Sequence, residues 1–434
     1  VAVLALLTGP LAACGPERQP GVLGYVQGFA GAVAADEPRA VVVARDILSS
    51  GGTAIDAAVA VALTLTVTLP TSAGLGGGGV CLVHDEDPDG RARVATLDFL
   101  PTTAAGPAGP DGAVAVPALP RALFALHARG GVLRWESLVA PAENLARFGF
   151  PVSRALAAEV AALGLTVPVH GVVRPTEGQG LQNLDLARAL GQVRVGPGEY
   201  YAGAVARELI AAAADQGHTV TPEALRDWRP AWRAATLEDF GSHRDAFPTV
   251  PDSATRLAAD WAAVDDGDDW AEDRTAAGPA PLPDLGAAMA SRGATAFLVA
   301  DSYGGAVACA LSVNTPAAAG APLPGFGFAL APLPGPDAPD IALMLRVNTN
   351  TGNTLSGLAA AGGGAVDLAM QAGLPALKGS AAPRAALAAA EAGGPGRALV
   401  SLLSCPGGVP RAPETCAVAV DPRGAGLAML VGAQ

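Results

Sequence analysis

In "SRGATAFLVADSYGGAVACALSVN", residues 291–314, a Gly-Ala-Thr step just ahead of two strand-like runs makes Thr295 a candidate nucleophile. A Thr hydroxyl opens an acyl group when a base stands beside it. Thr295 also sits in a strand-like run, where β-branching alone accounts for a threonine. Other chemistries find less support. The five histidines, His84, His127, His170, His218 and His243, are scattered without ligand spacing, so no zinc site is expected. There is no Gly-x-Ser-x-Gly elbow. The acidic run "AVDDGDDWAEDR" lacks the alternating oxygen ligands ending in Glu that a calcium loop needs, so it is read as solvated surface. In "GLGGGG" the glycine spacing of a dinucleotide fingerprint is not met.

The elements that must position Thr295 follow from composition and period. With 434 residues, half of them hydrophobic, the chain can bury one large core or two modest ones. A net charge of -13 and a single lysine, Lys378, leave no basic patch, which excludes nucleic acid as a partner. The stretch "PRAVVVARDILSS" has helical spacing and stops at Ser50-Gly51-Gly52; Asp56 then opens a second, nearly all-apolar helix expected in the core. Four glycines lead from it into a strand, and "RVATLDF" reads as the returning strand of a hairpin. Helices are expected over residues 121–150, 152–163, 181–190 and 202–214. Residues 231–293 mix Pro, Gly and Asp without a sustained period and read as loop-rich with one short helix. From Ala294 the texture turns to strands ("TAFLVAD", "GAVACALSV", "IALMLRVNT", "CAVAVD", "LAMLVG"), with helices at 365–377 and 384–392. Helices first and hairpin-paired strands later imply packed helical and sheet layers.

The first residues, "VAVLALLTGPLAACGPERQP", form an apolar run too short to span a bilayer and ending in small residues, as a secretory signal does. Leu11-Ala12-Ala13-Cys14 resembles a bacterial lipobox, which implies a signal peptide over 1–13, a lipid on Cys14, and export as a membrane-anchored lipoprotein. Of the other cysteines, Cys405 and Cys416 bracket a turn-rich loop and could close a hairpin disulfide in an oxidising compartment. Cys81 and Cys309 lie in apolar runs and read as small core residues.

Three blocks together resemble the γ-glutamyltranspeptidase family of N-terminal-nucleophile hydrolases. They are "ARDILSSGGTAIDAAVAVALTLTVTLPTSAGLGGGGVCLV"; "VPALPRALFALHARGGVLRWESLVAPAENLARFGFPVSRALA", continued by "GPGEYYAGAVARELIAAAADQGHTVTPEALRDW"; and the segment around Thr295. The resemblance implies an α+β fold, a four-layer αββα sandwich. It divides the chain into a large-subunit-like region (14–232), a shortened loop-rich link (233–293) and a small-subunit-like region (294–434) within one composite domain. No cofactor is implied. The partner implied is a small γ-glutamyl or peptide-like ligand.

The same alignment empties much of the site. Setting Asp301 and Gly304 on the family's Asp and Gly puts Ala294, not Thr295, at the nucleophile, and a methyl cannot attack. A one-residue shift turns Thr295 to the opposite face of its strand. The Arg that would hold a substrate carboxylate through a bidentate pair falls on Leu100. The serines and acidic residue that grip the glutamyl group fall within "ALMLRVN" and "ALAPLPGP", which offer neither in register. Ser312 remains where the family has the Thr that supports the nucleophile, with Asn314 two residues on. Gly362 and Gly363 remain where adjacent glycines form the oxyanion hole. The family-based expectation is therefore a member that neither self-cleaves nor transfers γ-glutamyl groups; the alternative is a transferase, glutathione hydrolase or divergent amidase using Thr295.

Overall fold

The computed structural model describes residues 28–432 other than 87, 88, 90, 110, 111, 165–168, 264–292, 317–319, 337, 378, 380 and 392–397. The expected signal peptide 1–13, Cys14 and nearly all of the acidic run lie outside the described residues. In chain order, β1 (Gly31–Ala35), α1 (Pro38–Ser49), α2 (Ala54–Thr68), β2 (Gly78–Glu86) and β3 (Ala92–Phe99) come first. A helical stretch follows: α3 (Leu119–Gly130), α4 (Trp135–Phe148), α5 (Arg154–Leu163), α6 (Leu184–Val195), α7 (Glu199–Ala202), α8 (Ala204–Asp215) and α9 (Pro222–Asp227), with the short pair β4 (Phe150–Pro151) and β5 (Gly180–Leu181). Then come β6 (Ala231–Ala234), β7 (Thr236–Phe240), β8 (His243–Phe247), α10 (Asp252–Ala262), β9 (Ala294–Asp301), β10 (Ala306–Ser312), β11 (Ile341–Asn348) and β12 (Asn353–Ala361). The chain ends with α11 (Ala365–Leu368), a π segment (Ala369–Gly373), α12 (Leu374–Leu377), α13 (Pro383–Glu391), β13 (Leu399–Val409), β14 (Ala417–Val420) and β15 (Leu427–Val431).

The strands build two sheets, one in the order β15-β1-β9-β10-β2-β3-β6 and the other β14-β13-β12-β11-β8-β7. Strand alternation then sorts side chains into three apolar layers. From the first sheet, Ala32, Leu82, Leu298 and Ala308 meet Leu343, Leu345, Ala359 and Leu403 of the second. Their neighbours Val33, Cys81, Phe297 and Val307 face α1 to α6, while Met344, Leu358 and Leu402 face α10 to α13. The result is the expected four-layer αββα sandwich.

Helix α2 is the centre of the first helical layer, and all fifteen of its residues are buried. Its hydroxyls survive burial because Thr64, Thr66 and Thr68 donate to the carbonyls of Ala60, Leu63 and Thr64. Its start is a capping box between Thr53 and Asp56. The Asp56 carboxylate also accepts from the N–H groups of Val132 and Leu133, tying α2 to the α3–α4 turn. The glycine run after α2 is a packing requirement. A Cβ on Gly76, Gly77, Gly78 or Gly79 would lie within 2.4 Å of a carbonyl oxygen of Ala329, Ser312, Phe99 or Ala310 respectively.

The structure corrects three expectations. The expected helix 121–150 is two helices, α3 and α4, parted at residues 131–134. Residues 233–263 of the expected loop-rich link belong to the sandwich: β6 pairs with β3 at one sheet edge and β7–β8 pair with β11 at the other, ahead of the single short helix α10. These strands are only four or five residues long and expose Trp232 and Leu237, so no two-residue period showed. Cys81 and Cys309 are buried as expected but are joined, because β2 and β10 set them directly opposite one another. Cys405 and Cys416 form the second disulfide.

Candidate functional site

The site is organised by the first residues of β9. Ala294 packs on the layer between the two sheets. Thr295 is buried on the opposite face, where its Oγ1 donates to Asp36 Oδ2 at 2.7 Å. Register places Ser312 opposite Ala294 and Gly78 opposite Ser312, with Leu100 just beyond β3, which neighbours β2. Residue 294, residue 312 and residue 100 thus sit along one end of the first sheet, strands about 4.8 Å apart. At one end of this row is a methyl; at the other is the isobutyl group of Leu100, packed on the inter-sheet core.

A cleft of about 390 Å³ wraps around the start of β9. Ala294 and Gly362 line it from the inter-sheet side, and Asp36, Ser72, Glu159 and Thr295 from the helical side. Asp36 follows β1 and was silent in the sequence, because 259 residues separate it from Thr295. Burial pushes its carboxyl up from an ordinary 3.8 to about 6, against the hydrogen bonds it accepts from Thr295 Oγ1 and Ala296 N–H; Glu159 and Asp421 add like charge. Beside it, Ser72 Oγ donates to Glu159 Oε1 at 2.5 Å. Ser72 and Glu159 also escaped the sequence reading, having no motif around them.

Ser312 and Asn314 are brought together with the start of β9, while Gly362 and Gly363 stand across the cleft. Ser312 Oγ lies 3.2 Å from Gly293 O and 3.3 Å from Asn314 Oδ1, and accepts the Asn314 N–H at 2.9 Å. Asn314 Nδ2 donates to the carbonyls of Pro101 and Pro332, both at 2.8 Å. The Gly362 N–H, expected to be an oxyanion donor, instead donates to Asp340 O at 2.9 Å, which extends the pairing of β11 with β12 by one step. Gly363 offers its carbonyl to Ala398 N–H.

Two arginines line the cleft, Arg154, paired with Glu177, and Arg423, paired with Asp421, whereas Arg346 in "ALMLRVN" does not line it. Arg346 is buried under α10 to α13, where Nε and Nη2 grip both oxygens of Asp245 at 2.7 Å. Trp261 Nε1 also donates to Asp245. Asp301, used above to set the alignment, is structural: its carboxylate accepts from Ala54, Tyr303 and Gly305 N–H groups. Among the described residues no group of three or more His, Cys, Asp or Glu side chains is arranged to hold a metal ion, and no helix is long and apolar enough to cross a membrane.

With this geometry in hand, comparison with known proteins is informative. The gamma-glutamyltranspeptidase family profile matches residues 40–259, just over half of the chain. Glutathione hydrolase 7 of Homo sapiens is 34% identical over 252 residues, covering 52% of this chain and 37% of that protein. Glutathione hydrolase 3 of Arabidopsis thaliana is 32% identical over 220 residues, covering 46% and 34%. Scoloptoxin SSD14 of Scolopendra dehaani is 29% identical over 244 residues, covering 51% and 42%. The chain therefore spans well under half the length of these relatives. A cephalosporin acylase structure from Bacillus halodurans superposes with a TM-score of 0.67 at 20% identity, covering 98% of this chain and 99% of the acylase, and so shares its fold.

Proposed function

Because the chain belongs to the γ-glutamyltranspeptidase family, we propose that it is a member that neither cleaves itself nor transfers γ-glutamyl groups, and that works as a binding or structural relative. The observation that carries this reading is the side-chain parity at the start of β9. Ala294 faces the layer between the sheets, the Thr295 hydroxyl is turned to the other face and held by Asp36, and the hydroxyl on Ala294's own face, that of Ser312, is engaged with Gly293 and Asn314. Leu100 in place of a guanidinium supports it further, since an isobutyl group cannot form the bidentate grip a carboxylate needs, and the guanidinium groups that do border the cleft, Arg154 and Arg423, are engaged by Glu177 and Asp421. The cleft is of a size for a small γ-glutamyl or peptide-like ligand. On this reading the protein is exported and held to a membrane by lipid on Cys14; two disulfides fit an oxidising compartment. Purified protein is expected to release no p-nitroaniline from γ-glutamyl-p-nitroanilide above a heat-killed control, and release above that control would overturn the proposal.

A rival reading, an amidase or glutathione hydrolase using Thr295, draws on the Asp36 carboxylate beside its hydroxyl in the same cleft. It requires Thr295→Ala to abolish any turnover found. Turnover unchanged in that variant would end it.

A further inference from the structure

On the helical side of the cleft both side-chain hydroxyls give their protons to carboxylates. Thr295 Oγ1 donates to Asp36 Oδ2 at 2.7 Å, and Ser72 Oγ donates to Glu159 Oε1 at 2.5 Å. A hydroxyl has one proton and two lone pairs, and an ionised carboxylate has lone pairs only, so these four side chains leave the wall with acceptors and no donor. One acceptor is left over. Asp36 is 9% exposed and lines the cleft, and its Oδ2 takes both of its hydrogen bonds, from Thr295 Oγ1 and from the Ala296 N–H at 3.2 Å. Among the described residues no donor reaches Oδ1, and a carboxylate oxygen this deeply set without a partner costs free energy. The charge around it has one sign: Glu159 on α5 and Asp421 after β14 both act on Asp36, and both are acidic. The two guanidinium groups at the cleft are already held, Arg154 by Glu177 and Arg423 by Asp421.

An anion would be repelled here, and a neutral donor would leave the charge unanswered. A metal ion would need more ligands than the described residues bring together. A primary ammonium group supplies what the wall lacks: three donors, no acceptor and one positive charge. Leu69, Ala155 and Leu399 line the same cleft of about 390 Å³ and give a carbon chain an apolar wall. We infer that the helical side of the cleft binds a primary alkylammonium group, with Asp36 Oδ1 as its principal acceptor and Ser72 and Glu159 beside it. This deepens the binding role argued under Proposed function and rests on it in treating the cleft as a place where a ligand is held. A free amine and the lysine side chain of a peptide share this chemistry. Burial raises the Asp36 carboxyl from 3.8 to about 6, so the acceptor is charged at pH 7.5 and about nine-tenths protonated at pH 5. Amine affinity therefore falls about ten-fold between those two conditions.

The test is calorimetric titration of the full chain with n-butylamine, butan-1-ol and Nα-acetyl-lysine amide at matched ionic strength. At pH 7.5 n-butylamine is expected to bind at least about ten-fold more tightly than butan-1-ol, the lower end of what a hydrogen bond to a charged group contributes. Asp36→Asn is expected to remove that preference and, with it, the fall in affinity at pH 5. Asparagine is nearly isosteric and keeps an acceptor for Thr295; if the variant does not fold, the pH dependence of the parent carries the test. Tighter binding of the lysine amide than of n-butylamine points to a peptide as the source of the ammonium group, and the reverse order to a free amine. Equal affinity for n-butylamine and butan-1-ol overturns the inference, as does no binding of either amine at millimolar concentration. So does an amine affinity unmoved by Asp36→Asn in a folded variant or by pH in the parent. Release of p-nitroaniline from γ-glutamyl-p-nitroanilide would defeat the reading under Proposed function whatever the amines do, whereas failure of the amines to bind leaves the loss of catalysis standing.

Discussion

The shoulder of α1 and α2 and the row at the start of β9 lie on the same sheet and have fared differently. On the shoulder, two carboxylates of the family-like motifs are buried and occupied: Asp56 caps α2 and holds the α3–α4 turn, and Asp301 holds the start of α2 and its own turn. In the row, the positions that would touch a substrate are a methyl and an isobutyl group. Removing a buried carboxylate strands several N–H donors, whereas removing a nucleophile leaves the core undisturbed. A chain can therefore keep the first region almost residue by residue while losing the second.

That contrast is breakable, most severely at Asp56. Asp56→Ala leaves the N–H groups of Thr53, Val132 and Leu133 without their acceptor, and a loss of about 4 kcal/mol in urea unfolding is expected. A loss below about 1 kcal/mol would mean the motif is not the structural element described here.

A pH titration of Asp36→Asn comes next. The Asp36 pKa is raised on folding, so its stability contribution is fully present below about 3.8 and lost as pH rises through about 6. A rise from 3.8 to about 6 corresponds to about 3 kcal/mol over that window. Buried His84 works the other way: burial lowers it to about 4, so its contribution is present above 6.5 and lost as pH falls through about 4. Both proteins carry His84, so the difference between them isolates Asp36. The parent is expected to lose stability relative to the variant between pH 4 and 7; parallel curves would remove Asp36 from the account.

The smallest effect is expected at Leu100→Arg, which places a guanidinium at the edge of the inter-sheet core and costs about 1–2 kcal/mol. γ-Glutamyl-p-nitroanilide turnover should stay at background, since the row still lacks its hydroxyl. Turnover gained by this change alone would show that a nucleophile other than residue 294 is at work.

The layers of this fold were legible because they rest on local signals, the helical period of α1 and the apolar runs of α2, β9, β10 and β11; β12 was not read as a strand, its Asn, Gly and Ala residues being poor strand formers. The edge strands β6 to β8 were not, since exposed sides without apolar alternation resemble loops. At the site, Ala294, Ser312, Asn314 and Leu100 were singled out only through the family resemblance, by setting Asp301, Gly304 and Asp98-Phe99 on that family's motifs. The Thr295–Asp36 and Ser72–Glu159 pairs could not be found that way, because each joins residues far apart in the chain. The occupied Gly362 N–H was hidden for the same reason: its acceptor, Asp340, lies on a separate loop before β11.

The most direct test of the central claim is the intact mass of the purified mature protein under denaturing, reducing conditions, where the two disulfides cannot mask a break. A single polypeptide running through residues 293–295 is the predicted result. Two chains parted at Ala294–Thr295 would contradict it, making Thr295 a working nucleophile in place of the inert residue 294.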